Sequence, residues 1–168
     1  MTSPEINHDI LVEDERWHEA LPDHASLVSM SLDHIFRNID LFSDAEDIEL
    51  SITLSNDAHI QTLNNDYRNK NKPTNVLSFP QIDWQNEPAA ADEPFIMLGD
   101  VIIALETIER ESAEQDKRLQ DHFIHMLIHS VLHLCGYDHE NETDAETMEN
   151  LEIHILNEMG IKNPYQTA

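Results

Sequence analysis

The sequence is poor in cysteine, glycine and long apolar runs, and each shortage excludes a class of protein. Cys135 is the only cysteine among 168 residues, so the chain cannot form an intrachain disulfide. Three glycines, seven prolines and 40% hydrophobic residues are typical of a globular protein. The longest uninterrupted apolar run is residues 101–105, far below the ~18 residues of a membrane-spanning helix. We therefore expect no association with a membrane.

The start of the chain, MTSPEINHDILVEDER, has neither the basic residues nor the apolar stretch of a secretory signal peptide. We therefore expect a cytoplasmic protein, and a single cysteine agrees with a reducing compartment. A length of 168 residues suits one domain with a proper core. Since the chain contains no internal repeat, we expect residues 1–168 to form a single domain.

Positive charge is scarce. Nine basic residues stand against 34 acidic ones, giving a formal net charge of −25 that would repel nucleic acid at long range. A nucleic-acid substrate would therefore need a local positive site, and Arg68, Lys70 and Lys72 form the candidate cluster. The alternative is an ordinary basic loop on an acidic surface. The acidic stretches 106–116 and 140–152 are predicted to be solvated helix faces.

Hydrophobic periodicity predicts strands and helices in mixed order. The predicted strands are residues 7–12 at an edge, 49–54, 76–79, and 98–103 in the centre. The predicted helices are residues 25–39, 58–65, 105–114, 119–134 and 143–159, with a polar, proline-containing loop at 81–94. This order predicts an α+β fold in which a small mixed sheet of about four strands packs with helices.

Three histidines near the end of the predicted helix 119–134 form the most informative pattern. His129 and His133 are four residues apart, so both imidazoles leave one helix face, separated by ~40° and ~6 Å of rise. Gly136 can end the helix in a left-handed conformation, after which His139 can return from another direction. Three neutral imidazoles leave a fourth tetrahedral position for water, as in catalytic zinc sites. Zinc lowers the pKa of such a water to roughly 7.

Other residues of the same helix leave alternatives open. His122 and His125 share a face with His129 and could form a different triad, although we interpret them as a polar or satisfied helix face. Cys135 points ~200° away from the preceding candidate ligand, which favours a small core residue. Asp138 can either orient an imidazole as an acceptor or cap the following turn.

The spacing HxxxHxxGxxH also matches the zinc motif of metzincin proteases except at one position. Those enzymes need Glu directly after the first His as the general base. Ser130 occupies that position here, and its hydroxyl cannot accept a proton usefully near pH 7. This difference argues against a protease.

Three separated segments resemble one known family. The run HSVLHLCGYDH at 129–139 resembles the HGxLHLxGYDH signature of the YbeY family of bacterial endoribonucleases, also called rRNA maturation factors. The run LNNDYRNKNKPTNVLSFP at 63–80 is similar to that family's LNxxYRxxDxPTDVLSFP segment, and LGDVII at 98–103 to its LGDIxI strand. A final run from Glu146 through Met148 to Glu152 is similar too. The matches cover roughly residues 50–160, in family order.

The resemblance implies a single-domain α+β fold with one Zn²⁺ held by His129, His133 and His139 and with Arg68 lining the active-site cleft. It implies a metal-dependent, single-strand-specific endoribonuclease of ribosome biogenesis, acting in 16S rRNA 3′ end maturation and ribosome quality control. The implied partners are rRNA and the ribosome or its proteins, with no DNA expected. The chemistry of these residues agrees with this implication, because the guanidinium of an arginine can donate two parallel hydrogen bonds to a phosphodiester.

The chain departs from the family pattern at three positions. Ser130 replaces the usual Gly after the first histidine, which adds a side chain where close backbone packing is expected. Asn71 and Asn75 replace two usual Asp residues, so negative charge is removed beside the arginine. Tyr67 and Phe79 can stack on bases, although packing is the simpler interpretation for Phe79.

Two further functions stay open at this point. The protein can be a ribosome assembly factor whose zinc is mainly structural and whose acidic surface faces basic ribosomal proteins. A metalloprotease ranks third because of Ser130. No carboxylate occupies the place expected for a general base, so the base is not identified.

Overall fold

The computed structural model describes residues 4–166, and these form one α+β domain of four strands and six α-helices. The strands are β1 (Glu5–Val12), β2 (Asp47–Ser55), β3 (Val76–Pro80) and β4 (Phe95–Ala104). The helices are α1 (Arg16–Ala20), α2 (His24–Arg37), α3 (Asp57–Arg68), α4 (Leu105–Glu114), α5 (Leu119–Leu134) and α6 (Glu142–Glu158). A 3-10 helix spans Pro88–Asp92. The predicted fold class is confirmed.

The sheet is mixed and has the strand order β1-β2-β4-β3. β1, β2 and β4 run parallel, with Ile52 opposite both Ile10 and Val101, while β3 runs antiparallel to β4. β4 is buried on both faces, because Val101 belongs to the main core and Ile102 belongs to a smaller core under α3. Burial on both faces explains why β4 is the most apolar strand in the sequence.

Helix α5 is the centre of the domain. Eleven of its sixteen residues are buried, so its sequence is apolar on nearly every side. It packs against β3, β4, α2, α4 and α6. Five neighbouring elements therefore hold α5 in place. Among residues 4–166, no helix is both long and apolar enough to cross a membrane.

Two of the differences from the sequence prediction concern helices that bear on the core and the site. Helix α1 was not predicted, because it has only five residues, but its Trp17 is fully buried and donates a hydrogen bond from Nε1 to the Ser55 carbonyl at 2.8 Å. Helix α3 continues to Arg68, beyond the predicted end at residue 65. Asn69 ends it in the left-handed conformation, with φ of 58°. Arg68 therefore lies on the last turn of a helix.

The prediction that the acidic stretches are solvated is wrong for one residue that bears on the site. Glu152 in α6 is fully buried. A buried carboxylate needs hydrogen-bond donors, and its donors come from α5 and from the segment after α6.

Candidate metal centre

Helix α5 presents two histidines from its last turns. His129 and His133 lie four residues apart, and their Nε2 atoms are 3.1 Å from each other. Their ring centroids are 4.6 Å apart, with the rings nearly perpendicular. Both rings therefore direct Nε2 toward the same region of space, as helical spacing requires.

A tight turn redirects the chain directly after α5. The backbone N–H of Gly136 donates to the His133 carbonyl at 3.0 Å, and that of Tyr137 donates to the Leu132 carbonyl at 3.1 Å. These two bonds form a Schellman motif, which needs a residue with positive φ at Gly136, here 92°. A Cβ at this position would also lie only 2.7 Å from the Trp84 ring. Glycine is thus required for two independent reasons.

The turn returns His139 to the other two histidines. The His139 ring centroid is 5.6 Å from that of His129 and 5.0 Å from that of His133. One nitrogen from each ring can be chosen so that all three lie within 4.8 Å of one another. The structure therefore brings together the three histidines singled out in the sequence, and this group could hold a metal ion.

In His129 and His133, the second ring nitrogen faces a hydrogen-bond acceptor. The Nδ1 of His133 is 3.0 Å from the Tyr137 carbonyl oxygen, which can only accept. The Nδ1 of His129 is 3.3 Å from the Glu152 Oε2 atom. When Nδ1 donates, Nε2 keeps its lone pair. This orientation by acceptors outside the ligand set is usual for metal-binding histidines.

Burial also favours the neutral imidazole that a metal requires. The pKa of His133 is lowered to about 4, first by burial and then by the neighbouring His129 and His139. His133 is therefore neutral near pH 7, and a metal ion would displace no proton from it. A set of three neutral imidazoles suits zinc, copper, iron or nickel, and is a poor site for the hard cations magnesium and calcium.

The sequence analysis missed the role of Glu152. Its Oε1 atom accepts hydrogen bonds from His125 Nε2 at 2.7 Å and from the Tyr165 hydroxyl at 2.9 Å. Burial raises the pKa of this carboxyl, but hydrogen bonds from His125 and His129 outweigh that effect and lower it to about 2. A signal did exist, because Glu152 stands at helical spacing between the buried Met148 and Ile155. A carboxylate in an apolar stripe indicates a buried partner.

The alternative triad of His122, His125 and His129 is not assembled as a metal site. His122 Nε2 contacts Glu111 Oε1 at 2.9 Å, so each of the first two histidines directs its Nε2 at a carboxylate. Both side chains are buried and each Nε2 has a carboxylate partner, so the contacts support the satisfied form of that interpretation, although the two Nδ1 atoms have no hydrogen-bond partner among the described residues.

The two smaller alternatives are also resolved by contacts. Cys135 is buried in the core as expected, and burial raises the pKa of its thiol. The Asp138 carboxylate accepts a hydrogen bond from the backbone N–H of His139 at 2.7 Å. Of the two alternatives for Asp138, orienting an imidazole or capping the turn, this contact corresponds to capping the turn.

The three histidines open onto a cleft of about 950 Å³, whose floor includes strand β3. Arg68 also lines this cleft, its side chain is exposed, and within residues 4–166 it forms no salt bridge. Lys70 and Lys72 are exposed but are not among the residues of the cleft wall. The basic cluster of the sequence thus contributes one cation, Arg68, to the site.

The departures from the family pattern are accommodated locally. The Ser130 hydroxyl is buried and donates to the Leu127 carbonyl at 2.9 Å, so the added side chain leaves no unpaired polar group. The Ser130 carbonyl accepts from the Ser78 hydroxyl of β3 at 3.1 Å. Asn75 donates its amide to Glu111 at 3.1 and 3.3 Å. An Asp at that position would instead bring two carboxylates together.

Comparison with known proteins gives two findings. The family model described as Endoribonuclease YbeY matches residues 12–160. Among solved structures, the chain is similar to the solution structure of TM1509 from Thermotoga maritima, with a TM-score of 0.54 and 19% sequence identity. That similarity covers 96% of this chain and 99% of the other. At 19% sequence identity, this structural similarity shows a shared fold and carries no information about function.

Proposed function

The chain belongs to the YbeY family of endoribonucleases, and we propose that it is a zinc-dependent, single-strand-specific endoribonuclease of ribosome biogenesis. In this role it would act in the cytoplasm on the 3′ end of 16S rRNA and on defective ribosomes. The observation that carries the proposal is the group of three imidazole nitrogens within 4.8 Å of one another, in the cleft that also contains Arg68.

Zinc fits the donor set better than the other metals that imidazole accepts. Catalytic zinc sites use three protein ligands with a fourth position left open, and His129, His133 and His139 supply three ligands beside an open cleft. Zinc in such a site polarises a phosphoryl oxygen and acidifies a water molecule. The chain itself keeps His133 neutral and orients the rings of His129 and His133 through contacts to their Nδ1 atoms.

Arg68 is proposed to bind the phosphodiester. It is exposed, it lines the cleft, and it forms no salt bridge in the described part of the chain. Its planar guanidinium can donate two parallel hydrogen bonds to phosphate oxygens and favours the charge that develops there in the transition state. On a protein with a formal charge of −25, this local cation would attract and orient the substrate.

An aromatic pair supports a preference for single-stranded RNA. Phe79 lines the cleft, and Tyr67 is 70% exposed and packs edge-on against it with ring centroids 5.3 Å apart. Unpaired bases can be splayed out and stacked on such rings, whereas bases within a duplex cannot. Stacking of bases on Tyr67 and Phe79 would therefore favour loops and unpaired ends of rRNA as substrates.

Cleavage of a labelled rRNA fragment by the wild type and by His133→Ala tests the proposal. The wild type should cut the RNA, a chelator should abolish cutting, and added zinc should restore it. His133→Ala should not cut, while its circular dichroism spectrum stays that of the wild type. Equal cleavage by both proteins would contradict the proposal and indicate a contaminating nuclease.

The acidic surface favours a second candidate, a ribosome assembly factor with a mainly structural zinc. A formal charge of −25 complements basic ribosomal proteins better than it does RNA. The two candidates differ in cells that carry His133→Ala as their only copy. Normal 16S maturation with a stably folded variant would favour the assembly factor, and accumulation of unprocessed 16S precursor would favour the nuclease.

A further inference from the structure

We infer that Glu152 is a positioning residue that holds His129 in its Nδ1–H tautomer, and that Tyr165 secures the Glu152 carboxylate from the segment after α6. The inference rests on the proposed metal site and adds to it a part of the chain that supplies no ligand. It concerns how this chain prepares His129 before any metal is bound.

The carboxylate of Glu152 receives three potential donors on two oxygens. His129 Nδ1 lies 3.3 Å from Oε2, while His125 Nε2 and the Tyr165 hydroxyl lie 2.7 and 2.9 Å from Oε1. An ionised carboxylate can only accept hydrogen bonds, so each partner must carry its hydrogen on the atom facing Glu152. For His129 this places the hydrogen on Nδ1.

That assignment leaves the lone pair of His129 on the nitrogen that the metal site needs. The Nε2 atom of His129 lies 3.1 Å from Nε2 of His133, within the group of three imidazoles. With the hydrogen on Nε2 instead, this nitrogen could not bind a metal until it lost a proton. The direction of one hydrogen bond therefore decides whether His129 is ready to act as a ligand.

The Glu152 side chain has little freedom to turn away. Its side chain is 1% exposed, and water cannot replace its partners at that depth. Rotation would leave a buried carboxylate without donors, which is costly. The contact thus fixes the orientation of the His129 ring as well as its tautomer.

Tyr165 adds the third donor from outside the family match. The matched region ends at residue 160, and Tyr165 returns from beyond it to place its hydroxyl on Glu152. The Tyr165 ring also packs edge-on against His125, with centroids 5.5 Å apart. Its backbone N–H donates to the Asn163 side chain at 2.8 Å, which fixes the turn that brings it back. The segment after α6 therefore supplies the third hydrogen-bond donor to the Glu152 carboxylate.

The substitution Glu152→Gln tests the inference with little change of volume. A glutamine amide has one accepting oxygen and one donating nitrogen, so it cannot accept from all three donors. We expect zinc affinity, measured by competition with a chromophoric chelator, to fall about 10- to 100-fold. Tyr165→Phe removes one donor and leaves the contact to His129, so we expect a loss of about two- to fivefold.

Glu149→Gln is the matched control, because Glu149 is an exposed carboxylate on the same helix. It removes the same charge without removing a contact to a histidine, and zinc affinity should stay within about twofold of the wild type. Similar losses in both variants would mean that the net charge of the protein, and not the contact to His129, sets the zinc affinity.

Long-range ¹H–¹⁵N correlation NMR on the metal-free protein gives a readout that a merely structural role would not move. The wild type should show His129 with its hydrogen on Nδ1, and Glu152→Gln should show a mixture of tautomers. A wild-type His129 protonated on Nε2, or a Glu152→Gln protein whose zinc affinity equals that of Glu149→Gln, would overturn the inference.

The outcomes separate this inference from the proposed function. If the wild type binds no zinc, the proposed function fails, whereas the His129 tautomer in the metal-free protein still decides the inference. If Glu152→Gln does not fold, the wild-type tautomer and the zinc affinity of Tyr165→Phe decide it. An unchanged affinity in Tyr165→Phe would remove Tyr165 from the proposal.

Discussion

The two halves of helix α5 both carry histidines, yet they use opposite ring nitrogens. In the first half, His122 and His125 direct Nε2 at the carboxylates of Glu111 and Glu152. In the second half, His129 and His133 direct Nδ1 at an acceptor and leave Nε2 toward the cleft. Helical spacing is similar in both halves. The direction of the hydrogen bond is therefore what distinguishes a structural histidine from a candidate ligand.

The largest effect is expected from His133→Ala in the second half of α5. Losing one of three protein ligands should lower zinc affinity by on the order of a hundredfold or more, because each ligand carries a large share of the binding free energy. RNA cleavage should fall below detection. Chelator competition and a gel assay on the same protein preparation measure both quantities.

His122→Ala is the matched substitution in the first half of the same helix. It should leave zinc affinity within about threefold, because His122 contacts Glu111 and lies outside the group of three histidines. It should lower the free energy of unfolding by about 2 kcal/mol, since a buried hydrogen bond is lost. Loss of zinc binding in His122→Ala would break the distinction between the two halves.

Arg68→Ala should lower the rate of RNA cleavage by about a hundredfold while zinc affinity stays unchanged, because Arg68 is proposed to contact phosphate only. Lys70→Ala is the control, since Lys70 is exposed and absent from the cleft wall. Cleavage rates at fixed low salt measure the difference. Equal losses in the two variants would mean that the basic cluster acts through general charge.

Gly136→Ala tests the turn that returns His139. The φ of 92° and the nearby Trp84 ring both oppose a Cβ there, so the free energy of unfolding should fall by about 2–3 kcal/mol. Gly160→Ala is the control, because its φ is also positive, 76°, but no atom lies within 4 Å of the added Cβ. It should lose only about 1 kcal/mol. Urea unfolding measures both, and equal losses would contradict the role of Trp84.

The smallest expected effect concerns pH. Since the pKa of His133 is about 4 in the folded protein against the ordinary 6.5, the unfolded chain binds more protons between these values. The free energy of unfolding of the metal-free protein should therefore decrease as pH falls from 6.5 to 4, by roughly 1–2 kcal/mol for this residue. Urea titrations of the wild type and His133→Gln should show a shallower pH dependence in the variant. Parallel curves would exclude His133 as the source.

The order of strands and helices could be predicted because each long element has either a clear hydrophobic period, as in β2, or a mostly apolar sequence, as in β4 and α5. Helices α4 and α5 have the predicted bounds, and β4 lies inside the sheet as its apolar sequence indicates. Short elements have no such period, which is why the five residues of α1 were missed. The additional turn of α3, residues 66–68, is exposed on every side chain and therefore carries no apolar pattern that would predict it.

The group of three histidines could be predicted from residues that are neighbours in sequence, whereas Arg68 was expected in the cleft only through the family resemblance. His129, His133, Gly136 and His139 lie within one short segment, so helical geometry and a turn relate them. Glu152 approaches His129 from another helix, 23 residues further along the chain. Such a contact depends on helix packing, which a local pattern does not describe. The apolar stripe of α6 indicated that Glu152 is buried, but the sequence could not identify His129 as its partner.

X-ray absorption spectroscopy of the zinc-loaded wild type tests the central claim most directly. The account predicts three imidazole nitrogens at about 2.0 Å from zinc and one further light atom, in four-coordinate geometry. A sulfur at about 2.3 Å, which would come from Cys135, or a shell with fewer than three imidazoles would contradict it.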